Sequence, residues 1–408
     1  MDEGTSLAHE RSLEIKNSRK RKHPQKDFNF GKYPKRKIAI QFLYCGWDYA
    51  GLVCQDTTSN TVEEYIKNAL IKTKLIESWE DCQYSRSGRT DKEVSAFRQV
   101  ASLIVRSTDL DGEGVFWPEN SGSDRISGSA GELNYVKMLN ATLPRTIRIL
   151  TWAPVPLDFN ARYHCSQRVY KYGLPITNYD FEAMRSGCKR LIGEHDFRNF
   201  CHIDRNSSRL GMSYVRTITD ADLTLVELGE NETSNTVDNS SVYKFAELTI
   251  KASGFLWHQI RCIVSVICEI GRRRESPEII TELLDVQKFP RRPAYGLAAA
   301  KPLYLYDCSY GDTELKWNWD VNSALNTKAL LLSTYADYKT RCLMLKNMAE
   351  GLGSLVSDVS VCYRGFDNFL TPNSASSHNY ISLKNRPTCD SLEEKQEKAE
   401  NKNKAVSS

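Results

Sequence analysis

The chain has 408 residues, of which 40% are hydrophobic and 26% charged, and its formal net charge is +4. No apolar run approaches the length of a membrane span, and Met1–Lys37 is polar and basic without the apolar core of a secretory signal, so a membrane or exported protein is not expected. The twelve cysteines include no C-x-x-C pair, which argues against a structural zinc site and favours reduced thiols.

The positive charge is concentrated near the start of the sequence. Between Lys16 and Lys37 there are ten lysines and arginines and one acid, Asp27, so this stretch carries +9 and the remainder −5. Residues 1–35 lack hydrophobic periodicity and are predicted to form a disordered basic arm. Within this arm, Arg19–Lys22 favours nuclear import or a contact with RNA, and a solvated tail is the alternative.

The next segment predicts a strand, a helix and a second strand. Lys37–Tyr44 alternates as a strand, and Thr61 opens a capping box that begins an amphipathic helix through Leu75. The apolar residues within Gln99–Arg106 predict the second strand. This order indicates an α/β unit. A surface insertion at 107–131, a short helix at 132–139 and a strand at 147–153 are predicted to follow it.

A polar turn stands between that helix and the second strand, and it holds one carboxylate, Asp91. Arg86 and Arg89 lie close in sequence, and a nearby cation lowers the pKa of a carboxylate. An ionised aspartate on such a turn can attack an electrophilic carbon. The alternative interpretation is a turn that only caps the loop.

The second half of the chain repeats the pattern of strands and helices. Arg168–Tyr172 alternates and places Tyr170 and Tyr172 on one face, where a pair of core tyrosines is the alternative to a functional role. His195 and Asp196 are interpreted as a structural turn after a helix. Helices are predicted at 181–192 and 262–270, strands at 215–227 and 243–252, and a polar loop at 229–241. The segment 317–352 is predicted to be mostly helical.

The helix over Cys262–Ile270 is apolar, but two polar residues, His258 and Arg261, precede it. Their spacing of three predicts that both lie on one helical face. Polar residues at the opening of a buried helix point toward a cleft, although a helix end facing solvent is the alternative.

Several of these stretches resemble the TruA family of tRNA pseudouridine synthases. The resemblance rests on Gly88–Lys92 with Val94–Ala96, on the runs F-N-A-R-Y and R-V-Y-K-Y, on G-F-L-W-H-Q-I-R and on a closing A-x-G-L-like loop. It implies that Asp91 is the catalytic residue, that Tyr170 lines the site against the target base, and that Arg261 reaches Asp91 with support from Arg89.

Two further stretches, Gly51–Gln55 and Arg386–Asp390, are similar to the eukaryotic branch of this family that acts at tRNA positions 38 and 39. One residue departs from the family pattern. Glu93 stands where glycine is usual, so the turn either avoids a positive φ or carries about 1 kcal/mol of strain.

The resemblance implies an α/β (α+β) fold: two α/β halves sharing a continuous mixed, mainly antiparallel sheet around a central cleft. The implied halves are 36–150 and 151–310, followed by a helical extension at 311–370 and a polar tail at 371–408. It also implies a tRNA partner, no cofactor or metal, a possible homodimer, and a place in the nucleus or cytoplasm.

The chemistry implied is the isomerisation of uridine to pseudouridine. Whether Asp91 bonds to C1′ of the ribose or removes a proton from C2′ is not decided by sequence. The alternatives are a family member with a different range of RNA sites, a catalytically inactive RNA-binding or chaperone protein, and a hydrolase that would need His195 in the cleft.

Overall fold

In a computed structural model of the chain, the described residues are 28–119, 121–122, 124–128, 131–203, 212–226, 244–311, 313–353, 365, 367–371 and 380–407. Within them, eleven strands form one sheet. The strands are β1 (Lys35–Tyr44), β2 (Ser85–Arg86), β3 (Ser95–Arg106), β4 (Val115–Phe116), β5 (Ile147–Pro154), β6 (Gln167–Pro175), β7 (Gly193–Asp196), β8 (Val215–Val226), β9 (Phe245–Ala252), β10 (Leu303–Ser309) and β11 (Asn318–Trp319). The α-helices of the described residues include α1 (Val62–Lys72), α2 (Tyr135–Asn140), α3 (Phe181–Lys189), α4 (Gln259–Gly271), α5 (Glu278–Leu284), α6 (Val321–Gly353) and α7 (Leu392–Ser407).

The sheet joins the two halves of the chain at one parallel contact. Its order is β11-β5-β1-β3-β10-β6-β9-β8-β7, with β2 beside β3 and β4 beside β1. At the centre, Ser95 and Ala96 of β3 lie opposite Tyr304 and Leu305 of β10 in parallel, while the other strand pairs of the described chain are antiparallel. The predicted fold class, a continuous mixed and mainly antiparallel sheet with flanking helices, is confirmed.

Helices cover the sheet with apolar faces. The predicted cap of α1 is present, because Oγ1 of Thr61 accepts from the backbone N–H of Glu64 at 3.4 Å. Helix α4 is apolar and buried along almost its whole length, and Gly187 of α3 lets that helix approach the side chains of Ile267 and Ile270. Each fully buried isoleucine or leucine stabilises this core by about 2 kcal/mol.

The folded body begins earlier than predicted. The guanidinium of Arg106 stacks over the rings of Phe28 and Tyr33 at 5.1 and 5.0 Å, so residues 28–35 do not belong to a disordered arm. The remaining arm residues, including Arg19–Lys22, lie outside the described residues, as does the predicted loop at 229–241.

Two other predictions need correction. The stretch interpreted as a turn at His195 and Asp196 forms strand β7, which pairs with β8 at the edge of the sheet. Residues 318–319 were assigned to a helical extension, but they form β11 and extend the first half of the sheet beside β5. Helix α6 then follows as predicted.

The polar tail returns to the body of the protein. Thr388 bridges to Pro293, the N–H of Ala294 donates to the carbonyl of Pro387 at 2.8 Å, and the N–H of Cys389 donates to the carbonyl of Arg292 at 2.8 Å. Residues 387–389, which we call the tail strand, therefore support the loop that follows α5.

No helix in the described part of the chain has both the length and the apolar character needed to cross a bilayer.

Candidate active site

Asp91 lies on the loop between β2 and β3, four residues before the parallel junction of the two halves. The residue before it is fixed twice: the hydroxyl of Thr90 lies 2.7 Å from that of Tyr44, and its carbonyl accepts from the N–H of Leu52 at 3.2 Å. Gly51 presses against the same loop, since a Cβ there would lie 3.1 Å from the Thr90 carbonyl oxygen and 3.3 Å from the carbonyl carbon of Asp91. The backbone of Asp91 is thus held from strand β1 and from the loop before α1.

A second set of contacts holds the start of this loop. The guanidinium of Arg168, on β6, donates through Nε to the carbonyl of Ser87 at 3.1 Å. Gln99 of β3 donates to the carbonyl of Gly88 at 3.0 Å. Because Arg168 belongs to the second half and Gln99 to the first, both halves of the sheet position the Asp91 loop.

The turn after Asp91 adopts the strained geometry that the sequence left open. Glu93 has φ 68°, a conformation that glycine adopts freely and other residues at a cost of about 1 kcal/mol. The turn is closed by the N–H of Val94, which donates to the carbonyl of Asp91 at 3.2 Å, and by the N–H of Glu93, which donates to the carbonyl of Tyr49. The interpretation that the turn avoids a positive φ is wrong.

Burial and charge act on Asp91 in opposite directions. Its side chain is 32% exposed. Burial raises the pKa of this carboxyl above its ordinary value, while the charge of Arg261 and a hydrogen bond from Trp257 lower that pKa. Of the two arginines predicted to act on Asp91, Arg86 of β2 instead donates to the buried carboxylate of Glu63. Arg89 is exposed on the Asp91 loop.

Arg261 stands in the first turn of α4 and is fixed by the loop that the tail strand supports. Its Nε donates to the carbonyl of Ala298 at 2.7 Å, and its own carbonyl accepts from the N–H of Ala298 at 3.4 Å. This reciprocal pair orients the guanidinium, whose charge lowers the pKa of Asp91. The charge of Arg261 thus acts on Asp91, and the role that the resemblance implies for this arginine stays a prediction.

His258 does not lie on the helix, contrary to the prediction that it shares a helical face with Arg261. It immediately precedes α4 with φ 61°. Its ring nonetheless enters the site, and Nε2 lies 3.3 Å from Oδ2 of Asp91. The ring of Trp257, which is 49% exposed, lies against that of His258 with centroids 4.6 Å apart.

Tyr170 is on β6, in the middle of the sheet beside the parallel junction. It pairs with Leu305 of β10 and with Ile250 of β9, and only 9% of it is exposed. The edge of its ring meets Phe255 at a centroid distance of 5.1 Å. Burial raises the pKa of the Tyr170 phenol, and the charge of Asp91 adds to that shift. The hydroxyl is thus neutral and lies within the electrostatic reach of Asp91.

Sequence reasoning missed four residues that shape this site. Gly51 and Arg168 hold the Asp91 loop, Trp257 acts on the carboxylate, and His202 lies against His258 with its Nδ1 3.0 Å from that of His258. Gly51, Arg168 and Trp257 stand inside the identified motifs, so the sequence indicates that they lie near the site but does not indicate what they do there. His202 lies outside every motif, and only the folded chain brings it to the site.

His195 lies far from Asp91. It belongs to β7, at the edge of the sheet, whereas Asp91 precedes β3 at its centre. Five steps of the sheet separate β3 from β7, or about 24 Å at the usual spacing of strands. The hydrolase interpretation therefore loses the histidine that the sequence offered it.

The chain resembles known proteins over most of its length. A family model described as tRNA pseudouridine synthase matches residues 188–311. A probable tRNA pseudouridine synthase of Caenorhabditis elegans is 44% identical over 93% of this chain and 93% of its own length. The tRNA pseudouridine(38/39) synthases of Mus musculus and Bos taurus are 37% and 34% identical over 81% and 91% of this chain, and 66% and 78% of their own lengths are covered.

The family model covers strands β7 to β10 and helix α4, and the Caenorhabditis elegans relative is similar across both halves of the sheet. With a relative 44% identical over 93% of both chains, and a family model matching the second half of the sheet, the chain belongs to the TruA-type family of tRNA pseudouridine synthases.

Proposed function

We propose that this chain converts uridine to pseudouridine at positions 38 and 39 in the anticodon arm of tRNA, with Asp91 as the catalytic carboxylate. The observation that carries the proposal is the placement of Asp91 opposite Arg261 and His258 at the junction of the two halves. Similarity to tRNA pseudouridine(38/39) synthases over most of the chain supports the choice of substrate.

The reaction breaks the bond from N1 of uracil to C1′ of ribose, rotates the base and forms a bond from C5 to C1′. One proton leaves C5 and one is gained at N1, so atoms and electrons balance without an oxidant or a cofactor. An ionised Asp91 starts the reaction either at C1′ or at the C2′ proton. Uracil leaves as an anion, so a second carboxylate acting as an acid is not needed, in contrast to glycoside hydrolysis.

The target uridine must leave its stack to reach Asp91, which costs a few kcal/mol. Tyr170 and Phe255 supply aromatic surface inside the cleft that offsets this cost by contact with the flipped base. Arg261 has its backbone and Nε fixed by Ala298, so its guanidinium holds Asp91 as an anion in a site where burial favours the acid.

The test is a reaction of the purified chain with tRNA transcripts that carry uridine at 38, at 39, at both or at neither. Pseudouridine is mapped by chemical modification and primer extension. We expect modification only where position 38 or 39 is uridine and none with Asp91→Asn. Modification elsewhere in the tRNA would replace the proposed site range, and tRNA binding without modification by the unaltered chain would indicate an inactive RNA-binding protein.

We also propose a homodimer that forms along the second part of α6. Exposed residues follow one another at alternating spacings of four and three, which is the repeat of a coiled-coil seam. They are Leu331, Tyr335, Tyr338, Cys342, Leu345, Ala349 and Leu352. Tyr338 also contacts Trp47 of the same chain, and a second copy of α6 would offer a matching partner for the rest of this seam.

Light scattering of the chain and of Leu345→Glu tests the dimer, with Lys346→Glu as a control for added charge. We expect the mass of two chains for the unaltered protein and the control, and that of one chain for Leu345→Glu. A single-chain mass for the unaltered protein would contradict the dimer. In a parallel pair, Cys342 meets its counterpart, so mild oxidation should cross-link the chains and Cys342→Ser should prevent it.

The location of the protein is proposed from the basic residues Arg19–Lys22, which fit a nuclear-import signal beside a cytoplasmic pool. Deletion of residues 1–27 should leave the isomerisation rate unchanged and reduce the nuclear fraction of a fluorescent fusion. If the arm also contacts phosphates, the salt dependence of tRNA binding should become shallower. An unchanged distribution and an unchanged slope would assign this stretch to a solvated tail.

A further inference from the structure

His258 has an unusual backbone conformation for the residue that immediately precedes a helix. Such residues usually accept a hydrogen bond from the first turn through a short polar side chain. His258 makes no such bond, and its φ of 61° is a strained conformation for a residue other than glycine. The strained turn directs the imidazole away from the helix and toward Asp91, where Nε2 lies 3.3 Å from Oδ2.

The other nitrogen of the same ring is also engaged. Nδ1 of His258 lies 3.0 Å from Nδ1 of His202. Two ring nitrogens at this distance share one proton, so one of them donates and the other accepts. His202 is held in place by its own N–H, which donates to the carbonyl of Trp257 at 3.0 Å, and by Arg292, which donates to the adjacent carbonyl of Cys201 at 3.2 Å.

We propose that His258 and His202 form a neutral imidazole pair that positions Asp91. In this pair the Nε2–H of His258 faces the carboxylate, and the Nδ1–H of His202 donates to Nδ1 of His258. The opposite arrangement would turn a lone pair of Nε2 toward an ionised carboxylate. The inference rests on the proposed function only in taking Asp91 as the working carboxylate.

The surroundings keep both rings uncharged. Arg261 faces His258 from α4, Arg292 faces both rings from the loop after α5, and Lys395 of α7 acts on His202. Burial, followed by these cations, lowers the pKa of each histidine to about 4. Asp91 is the carboxylate that faces the pair, and near neutral pH it meets a neutral donor rather than an imidazolium.

The pair also accommodates a proton on Asp91. A protonated carboxyl donates to Nε2 of His258 if the ring proton moves to Nδ1, and His202 then accepts through its Nδ1 with its proton on Nε2. Both contacts survive and neither ring becomes charged. The pair thus acts as a positioning device for both protonation states of the carboxyl, while the chemistry at the ribose is left to Asp91.

The direct test is nitrogen NMR of the full chain labelled with ¹⁵N-histidine, in which the seven histidines are assigned by substitution. At neutral pH we expect the proton on Nε2 of His258 and on Nδ1 of His202. The reverse tautomers, or protonated rings, would overturn the proposal. This measurement needs no tRNA, so it is independent of whether the proposed function holds.

Single-turnover rates with saturating tRNA test the effect on Asp91. His258→Asn suits a positive φ but is too short to reach Asp91, and should slow the reaction about ten- to a hundredfold, the worth of a hydrogen bond to a charged group. His258→Gln restores an N–H near the position of Nε2 and should lose much less. The dissociation constant for tRNA should stay within about twofold in both, since neither residue contacts the RNA backbone in this scheme.

His202 offers a matched pair of variants. His202→Asn keeps a donor near the position of Nδ1 and should retain most of the rate, while His202→Phe removes the donor and should slow the reaction and move the acid limb of its pH profile upward. The shift follows because His202 no longer fixes the proton of His258 on Nε2, so the donor to the ionised form of Asp91 is weakened. Equal rates for Asn and Phe with an unmoved acid limb, or full activity of His258→Asn, would overturn the proposal.

Discussion

Two residues other than glycine take a positive φ beside Asp91, and they use it differently. Glu93 follows Asp91 with φ 68°, and His258 precedes α4 with φ 61°. At Glu93 the strain serves the backbone, since the turn is closed by bonds between main-chain groups around Asp91 and Tyr49. At His258 the strain serves the side chain, whose ring lies between Asp91 and His202. Similar torsions therefore predict opposite tolerance to substitution.

The largest effect is expected at the carboxylate that both turns surround. Asp91→Asn should abolish pseudouridine formation and leave tRNA binding within about tenfold, or roughly 1.4 kcal/mol. The same variant should melt no lower than the unaltered chain, because burial raises the pKa of Asp91 and the folded protein therefore prefers the neutral side chain. Clear residual turnover would remove Asp91 from its role.

Arg261→Lys tests the contribution of the guanidinium that follows His258 in the first turn of α4. Lysine keeps a positive charge but cannot bond Ala298 through Nε and aim a planar group at Asp91 together. We expect a loss of turnover with the fold intact, and an upward shift of the acid limb because Arg261 lowers the pKa of Asp91. A lower melting temperature with normal specific activity would assign Arg261 to stability alone.

Variants of Tyr170, on β6 beside the parallel junction, separate stacking on the base from proton transfer. Tyr170→Ala removes the ring and should be poorly active. Tyr170→Phe should stay active if only contact with the base matters, and should be impaired if the hydroxyl handles a proton. Full activity of both variants in single-turnover assays would exclude Tyr170 from the site.

The turn at His258 also predicts a dependence of stability on pH. His258 and His202 have folded pKa values of about 4, below the ordinary 6.5, so the unfolded chain binds more protons between these values. Their contribution is fully present above pH 6.5 and is lost as the pH falls toward about 4. The free energy of unfolding, measured with denaturant across this pH range, should fall less steeply with decreasing pH in His202→Phe than in the unaltered chain. The same dependence on pH in both proteins would contradict the lowered pKa values.

The smallest effect is expected for Glu93→Gly. Glycine adopts this φ freely, so the strain of about 1 kcal/mol is relieved, although part of the gain is offset by the larger chain entropy of glycine. Activity and the acid limb should change little. His258→Gly is the matched comparison, because it relieves a similar torsion and should lose activity. A marked gain in rate for Glu93→Gly would show that its side chain faces the site.

The parts of this site that are local in sequence could be predicted, and the parts that depend on distant contacts could not. Asp91, Tyr170 and Arg261 stand in motifs, and the alternation of the strands and the cap at Thr61 indicate the elements that carry them. Arg86 illustrates the limit: its closeness to Asp91 in sequence suggested a contact, but a buried carboxylate from α1 binds it instead.

His202 shows the same limit, because it contributes to the site although it is distant from the other site residues in sequence. It lies 56 residues before His258, and neither periodicity nor a motif connects the two. Only the packing of the segment after β7 against the start of α4, secured by Arg292 and Trp257, brings the rings together. The edge strand β7 was also missed, since four residues with mixed polarity carry little periodic signal.

The tail strand has a consequence for the order in which the protein is made. Residues 387–389 pair with the loop at 292–294, which continues into Ala298 and so into the contacts of Arg261. On a ribosome, the sheet is complete once β11 has emerged, but this support is synthesised much later. A chain that stops between α6 and the tail strand is therefore expected to fold its sheet and keep its carboxylate, yet lack the brace beside its arginine. Early termination would leave a folded, slow enzyme that still competes for tRNA.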